Sequence, residues 1–201
     1  MKDILGVVLC GGRSKRMGSD KGLKKMDDKT WAEHIAALFI QLDIPFVVSV
    51  NAQQIKNYGE IFDEEKLVLD SVTIPSALRG VLSVYERFPD KNLLPVACDL
   101  IRMDTDMMTG IISAYLNNNR YDFYVYQLAG NDFAEPFAGI YTSTGLQKVD
   151  LKYRNNELLK YSFQNIFDSY KTLRITTDNA EAFSNINKWV PADGVLLVRV
   201  K

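Results

Sequence analysis

Cysteine and histidine are nearly absent from this chain. In 201 residues there are two cysteines, Cys10 and Cys98, and one histidine, His34. Two thiols make no disulfide framework of the kind that holds small secreted domains together. A single histidine in a helix-like stretch, with no partner at ligand spacing, gives no histidine metal site. Net charge is missing too. Twenty-four Lys and Arg oppose 25 Asp and Glu, for a formal charge of −1, so no global basic field recruits nucleic acid. Any cationic site must be local. No apolar run nears the ~20 residues of a membrane span. The opening MKDILGVVLCGG has too short an apolar part for a secretory signal and carries Asp3. The expectation is a cytoplasmic protein in a reducing compartment, with neither nucleic acid nor membrane as partner.

What is present is ordinary for a soluble chain, at 47% hydrophobic and 24% charged. The length suits a sizeable core in one domain over 1–201. Strand and helix patterns alternate. Residues 4–10, ILGVVLC, form a continuous apolar run, as a strand buried on both faces does. Residues 30–43 place apolar side chains at helical spacing, with Thr30 as N-cap and Glu33 three residues on. Further strands are predicted at 45–50, 66–69, 92–98, 122–128 and 171–176, and helices at 77–88 and 104–118. Residues 134–142 read as an antiparallel strand, 155–169 as helix, and 194–200 as a last strand. Asn117-Asn118-Asn119 reads as a turn. The pattern predicts an α/β fold: a three-layer, doubly wound, mainly parallel sheet with one antiparallel element in the second half.

In such sheets, ligands bind beyond the carboxyl ends of the strands. Three polar clusters fall there: Gly11–Lys21 after the first strand, Asn51 after the second, Asp99 after the fourth. Gly11 and Gly12 let the backbone approach a ligand closely, and successive amides can cradle phosphate oxygens. Arg16 and Lys21 add charge that reaches phosphates, while Arg13 and Lys15 also suit a solvated face. The segment has neither the G-x-x-x-x-G-K-[ST] nor the G-x-G-x-x-G form. Its glycines alone fit an ordinary strand–helix loop as well as a cradle. Asp99 alone fits a helix-capping aspartate as well as a carboxylate for magnesium, which takes one or two carboxylates with phosphate oxygens.

The full string LCGGRSKRMGSDK at 9–21 resembles the signature L-x-G-G-x-S-x-R-M-G-x-D-K of molybdenum cofactor guanylyltransferases, the MobA type. Leu9, Gly11, Gly12, Ser14, Arg16, Met17, Gly18, Asp20 and Lys21 all stand in place. Related cytidylyltransferases usually read L-A-A-G, so the glycine pair resembles the guanylyl branch. Val50-Asn51-Ala52, Asp70-Ser71, Ala97-Cys98-Asp99, Glu135-Pro136-Phe137-Ala138 and Asn185-Ile186-Asn187 resemble later family segments. Ser76-Ala77-Leu78-Arg79-Gly80 departs from G-P-L-x-G and matches only at Leu78 and Gly80. Leu100-Ile101 and Lys188-Trp189-Val190 depart as well.

The resemblance implies nucleotide contacts from Leu9, Cys10, Gly11, Gly12 and Ser14 in the loop. It adds Lys21, Asn51, Asp70, Gly80 and Asp99. It implies Arg16, Lys21 and Asp99 as the catalytic groups, Mg2+ held by Asp99, GTP as donor and molybdopterin as acceptor. Residues 1–100 would bind the nucleotide and 101–201 the acceptor, with the 135–138 and 185–187 segments on the acceptor side. Two other outcomes stay open: a nucleotidyltransferase with another base or acceptor (cytidylyl, cobinamide-phosphate or sugar-phosphate), or an inactive GTP-binding scaffold. His34, the aromatic run 121–126 and the acidic run 63–65 are assigned structural or solvated roles. Cys10 and Cys98 should lie close at the ends of neighbouring strands, as packing groups.

Overall fold

The computed structural model describes residues 3–11 and 20–184, and the backbone of 191–192 and 195–196. Its centre is β1, Ile4–Leu9, in which every residue is buried. Ile4 and Val8 face one apolar cluster, while Leu5, Val7 and Leu9 face the other. That is the two-sided burial that a continuous apolar strand requires. Gly6 leaves room for the ring of Phe39, where a Cβ would meet it at 2.5 Å. β1 is followed by a two-residue hairpin, β2 (Lys25–Met26) and β3 (Lys29–Thr30), and then by α1, Trp31–Gln41. The predicted capping box closes α1. The Glu33 amide donates to Thr30 Oγ1 at 3.2 Å, and the Thr30 amide donates to the Glu33 carboxylate at 2.8 Å.

The chain continues through β4 (Phe46–Val50), α2 (Ile55–Gly59), β5 (Leu67–Leu69), α3 (Leu78–Arg87) and β6 (Asn92–Ala97). Then follow α4 (Thr105–Asn117), β7 (Phe123–Leu128), β8 (Ala134–Tyr141), α5 (Ser143–Arg154), α6 (Phe163–Ser169) and β9 (Thr172–Thr177). Seven strands form one sheet in the order β5-β4-β1-β6-β8-β7-β9. β4, β1 and β6 pair in parallel, β5 parallel to β4, and β9 parallel to β7, while β8 runs against both β6 and β7. One reversed strand in a parallel sheet is the architecture predicted. Side chains of α1 and α4 fill one face, and those of α3, α5 and α6 the other.

The second half corrects the sequence reading. Residues 155–169 are not one helix. α5 occupies Ser143–Arg154, where no helix was predicted, and only Phe163–Ser169 of the expected stretch is helical. Asn156 stops α5 by taking a left-handed conformation, φ 58°, which asparagine tolerates better than most residues. Asn117 is the last residue of α4 rather than a turn residue. Of the predicted strand 194–200, Val195–Leu196 pairs with Pro191–Ala192 as a small hairpin, β11 on β10; the rest lies outside the described residues.

Candidate active site

Because β1, β4, β5 and β6 are parallel, their carboxyl ends share one rim, and the polar clusters meet there. At the centre stand Lys21 and Asp99. Lys21 Nζ lies 2.8 Å from Asp99 Oδ2, across 78 residues of sequence, and both side chains are mostly buried. Asp99 follows β6 directly. Lys21 follows the glycine-rich segment, so the ion pair ties the far end of that segment to the neighbouring strand. Gly12, Ser14 and Arg16 lie outside the described residues.

Gly11 contributes through what it lacks. Its amide donates to the Ser49 carbonyl at 3.1 Å, so it is committed to the sheet rather than to a phosphate. A Cβ on Gly11 would lie 3.2 Å from Asp70 Oδ2. Leu9 and Cys10 are likewise held by strand hydrogen bonds. The Leu9 carbonyl accepts from the Cys98 amide, and the Cys10 amide donates to Ser49.

Asp70, after β5, has a buried carboxylate. Ser49 Oγ donates to Oδ1 at 3.4 Å. Arg79 Nε stands 2.9 Å from Oδ2 as an ion pair. Burial raises the Asp70 pKa, against the opposing pull of Arg79 and Ser49. Gly80, the other member of this segment implied as a contact, sits inside α3 facing the sheet. A Cβ there would meet Ser49 Oγ at 2.5 Å and Leu9 at 3.1 Å. Its position is that of a packing glycine.

Asn51 caps the turn after β4, its side chain accepting from the Gln53 amide at 2.9 Å. That turn presents Gln54, a residue that composition and spacing did not single out. Gln54 Oε1 accepts from the Asn51 amide at 3.0 Å. Its Nε2 donates to the Cys10 carbonyl at 2.9 Å and to Asp20 Oδ2 at 2.5 Å. Asp20 Oδ1 accepts from Tyr58 Oη at 3.0 Å and from the Gly22 amide at 3.1 Å. One glutamine therefore joins Cys10, just before Gly11, to Asp20, near the end of the 9–21 string. Only tertiary structure could reveal this, because the partners are 44 and 34 positions away.

Cys10 and Cys98 are both buried and unbridged. They adjoin at the ends of β1 and β6, where Leu9 pairs with Ala97. A mutual hydrogen bond, and then burial, raises the Cys98 pKa well above the usual thiol value. Such a thiol packs rather than attacks. His34 Nε2 lies 3.1 Å from the Ile101 carbonyl, fastening α1 to the loop after Asp99.

Glu135, in the segment expected on the acceptor side, lies on β8. Burial raises its pKa. The strand is irregular just beyond, with a register shift against β7 between Tyr124 and Tyr126, and Ala138 at φ 62°. The 185–187 segment lies outside the described residues.

Among the described residues no group of three or more His, Cys, Asp or Glu side chains forms a metal cage. Asp99 offers one carboxylate at the rim. That donor set fits a magnesium ion arriving with a polyphosphate, since magnesium takes one or two carboxylates and fills its other positions with phosphate oxygens and water. It does not fit a metal held by protein alone. Among the described residues no helix is long and apolar enough to cross a membrane.

A glycine-rich connection after the first strand, with a lysine and an aspartate at the switch point of a doubly wound sheet, defines an α/β nucleotide-binding protein. The comparisons narrow this class: residues 6–179 match the model of the MobA-like NTP transferase domain, and the chain belongs to that family. A probable molybdenum cofactor guanylyltransferase from Methanothermobacter thermautotrophicus is 25% identical over 185 residues, covering 90% of this chain and 93% of its own. A molybdenum cofactor biosynthesis bifunctional protein from Synechocystis is 27% identical over 146 residues; the match covers 72% of this chain but only 40% of that longer protein. Among solved structures, molybdopterin-guanine dinucleotide biosynthesis protein A from Archaeoglobus fulgidus superposes with a TM-score of 0.72. It is 14% identical and aligns over 91% of this chain and 92% of its own, a likeness of fold.

Proposed function

We propose that this nucleotidyltransferase moves a guanylyl group from GTP to the phosphate of molybdopterin, with pyrophosphate leaving. The observation that carries the reading is the Lys21–Asp99 pair at the rim. It sets a cation and a carboxylate side by side where a triphosphate would meet the glycine-rich segment. The guanine and molybdopterin parts rest on the relatives' names and on the 9–21 string.

The acceptor phosphate is its own nucleophile. One of its oxygens bonds to the α-phosphorus as the bond from that phosphorus to the α–β bridging oxygen breaks. No covalent protein intermediate is needed, so the protein works by placement and charge. Lys21 would bind phosphate oxygens and stabilise charge building on the pyrophosphate. Arg16 belongs to the same proposal. Asp99 would hold Mg2+, which when bound neutralises phosphate charge. Asp70, beside Gly11, belongs to the same proposal as a nucleotide contact.

The test is pyrophosphate release by the purified protein given Mg2+, molybdopterin and either GTP or CTP. Release should need molybdopterin and favour GTP. Asp99→Ala should lower the rate by about 10²–10³-fold, the scale of losing one preorganised charge-stabilising group. An Asp99→Ala protein turning over at the wild-type rate would overturn the site.

A further inference from the structure

Gln54 and Tyr58 belong to neither the glycine-rich string nor the rim pair, yet they meet both through Asp20. The Gln54 amide is used on both sides. Its oxygen faces an N–H, and its nitrogen faces two oxygens, the Cys10 carbonyl and the Asp20 carboxylate. No other side chain of that length offers this donor and acceptor split. Gln54 and Tyr58 are both buried, at 8% and 0% exposed. Tyr58 reaches Asp20 because position 22 is glycine: a Cβ there would lie 2.1 Å from the hydroxyl. Burial, then the neighbouring Cys10, Cys98 and Asp20, pushes the Tyr58 pKa far up, so its O–H remains a donor. Asp20 thus has fixed donors on both oxygens, from two residues at and near α2 and from the Gly22 amide. The next residue after Asp20 is Lys21, whose ammonium stands at Asp99.

We propose that Gln54 and Tyr58 are positioning residues of the nucleotide site: they fix Asp20, and through Asp20 they aim Lys21 at the triphosphate beside Asp99. This rests on the nucleotide reading above and extends it to residues that touch no substrate. Its chemistry suggests a diagnostic variant. Gln54→Glu keeps the acceptor toward the Asn51 amide but turns a carboxylate oxygen toward two acceptors. At neutral and higher pH it would repel Asp20. On acidification one proton shared by the two carboxyls restores a donor between them. Among the described residues, the other titratable groups around Asp20 are the Tyr58 hydroxyl of α2, the Cys10 thiol after β1 and the Cys98 thiol after β6. Lys21 adjoins Asp20 in the chain.

The experiment is calorimetric titration of GTP with MgCl2 into the wild type, Gln54→Glu and Tyr58→Phe. Each is also made in a Lys21→Ala background, and thermal unfolding is recorded for every protein. At about pH 8, Gln54→Glu should bind GTP about tenfold more weakly than wild type, and the gap should narrow at about pH 5.5 as the carboxyl pair gains a proton. Tyr58→Phe should weaken binding about three- to tenfold, on the scale of one lost hydrogen bond, at both pH values. Both effects should disappear in the Lys21→Ala background, because groups acting through one residue are not additive with it. If Gln54→Glu does not fold, Tyr58→Phe and its double variant carry the same test. Folded variants that bind GTP like wild type would overturn the proposal, as would a penalty that persists in full without Lys21. A wild-type protein with no affinity for GTP would instead overturn the nucleotide reading itself.

Discussion

Single residues reveal chemistry in the sequence only where identity alone carries it. Asp99 was picked out by its place after an apolar strand, and Lys21 by the 9–21 string and its charge. The structure brings them to 2.8 Å. Gln54 was not legible, since an uncharged amide means nothing until its three partners are assembled from distant parts of the chain. Gly80 gains a second role beside the nucleotide contact that the resemblance implies: a Cβ there would meet Ser49 and Leu9 inside the α3–sheet packing. Gly80→Ala should therefore lower stability by about 1–3 kcal/mol, as overpacking a close contact does. Urea unfolding measures this, and an unshifted midpoint would contradict the packing role.

Elements were legible in proportion to their signals. α1 carries an apolar stripe and a capping box, and both appear as read. Thr30→Ala should cost about 1 kcal/mol, typical of losing an N-cap side chain; equal unfolding midpoints for variant and wild type would show the box to be idle. α5 was missed because few of its side chains enter the core: only Gly145, Leu146, Val149 and Asp150 are buried. Exposed Leu151 blurs the stripe further. Nor did the apolar pattern show where α5 ends, since its stop depends on the left-handed turn at Asn156. The predicted helix over 155–169 ran through this break. The short β5 and β9 were found because apolar and β-branched residues dominate them.

At the scale of the whole molecule, alternation alone predicted the mainly parallel sheet. It also placed the antiparallel element in the second half, though not the position of β8 between β6 and β7. That position buries part of Glu135, and burial raises its pKa from the usual glutamate value. A carboxyl whose folded pKa is raised favours the fold below its unfolded pKa. It loses that contribution as pH rises through the folded value. At pH about 7 the ionised Glu135 therefore costs stability, and Glu135→Gln should unfold at higher temperature than wild type. The gap should close as the solution is made acid. A gap of the same size at acid pH would disprove the cause.

The reversed strand has a consequence for how such a protein can diversify. β8 starts at the rim, so the 129–133 turn between β7 and β8 opens beside the ends of the parallel strands. A hairpin turn lengthens cheaply, each doubling costing only about 0.6 kcal/mol in closure entropy. Its fixed contacts include the Ala129 amide on the Thr177 carbonyl and the Gln127 side-chain amide on the Asn131 carbonyl. Across the rim, Gln54 holds Cys10 and Asp20 together. The two sides of the rim thus differ: the 129–133 hairpin joins two neighbouring strands, whereas Gln54 fastens the residues at both ends of the glycine-rich string to one side chain.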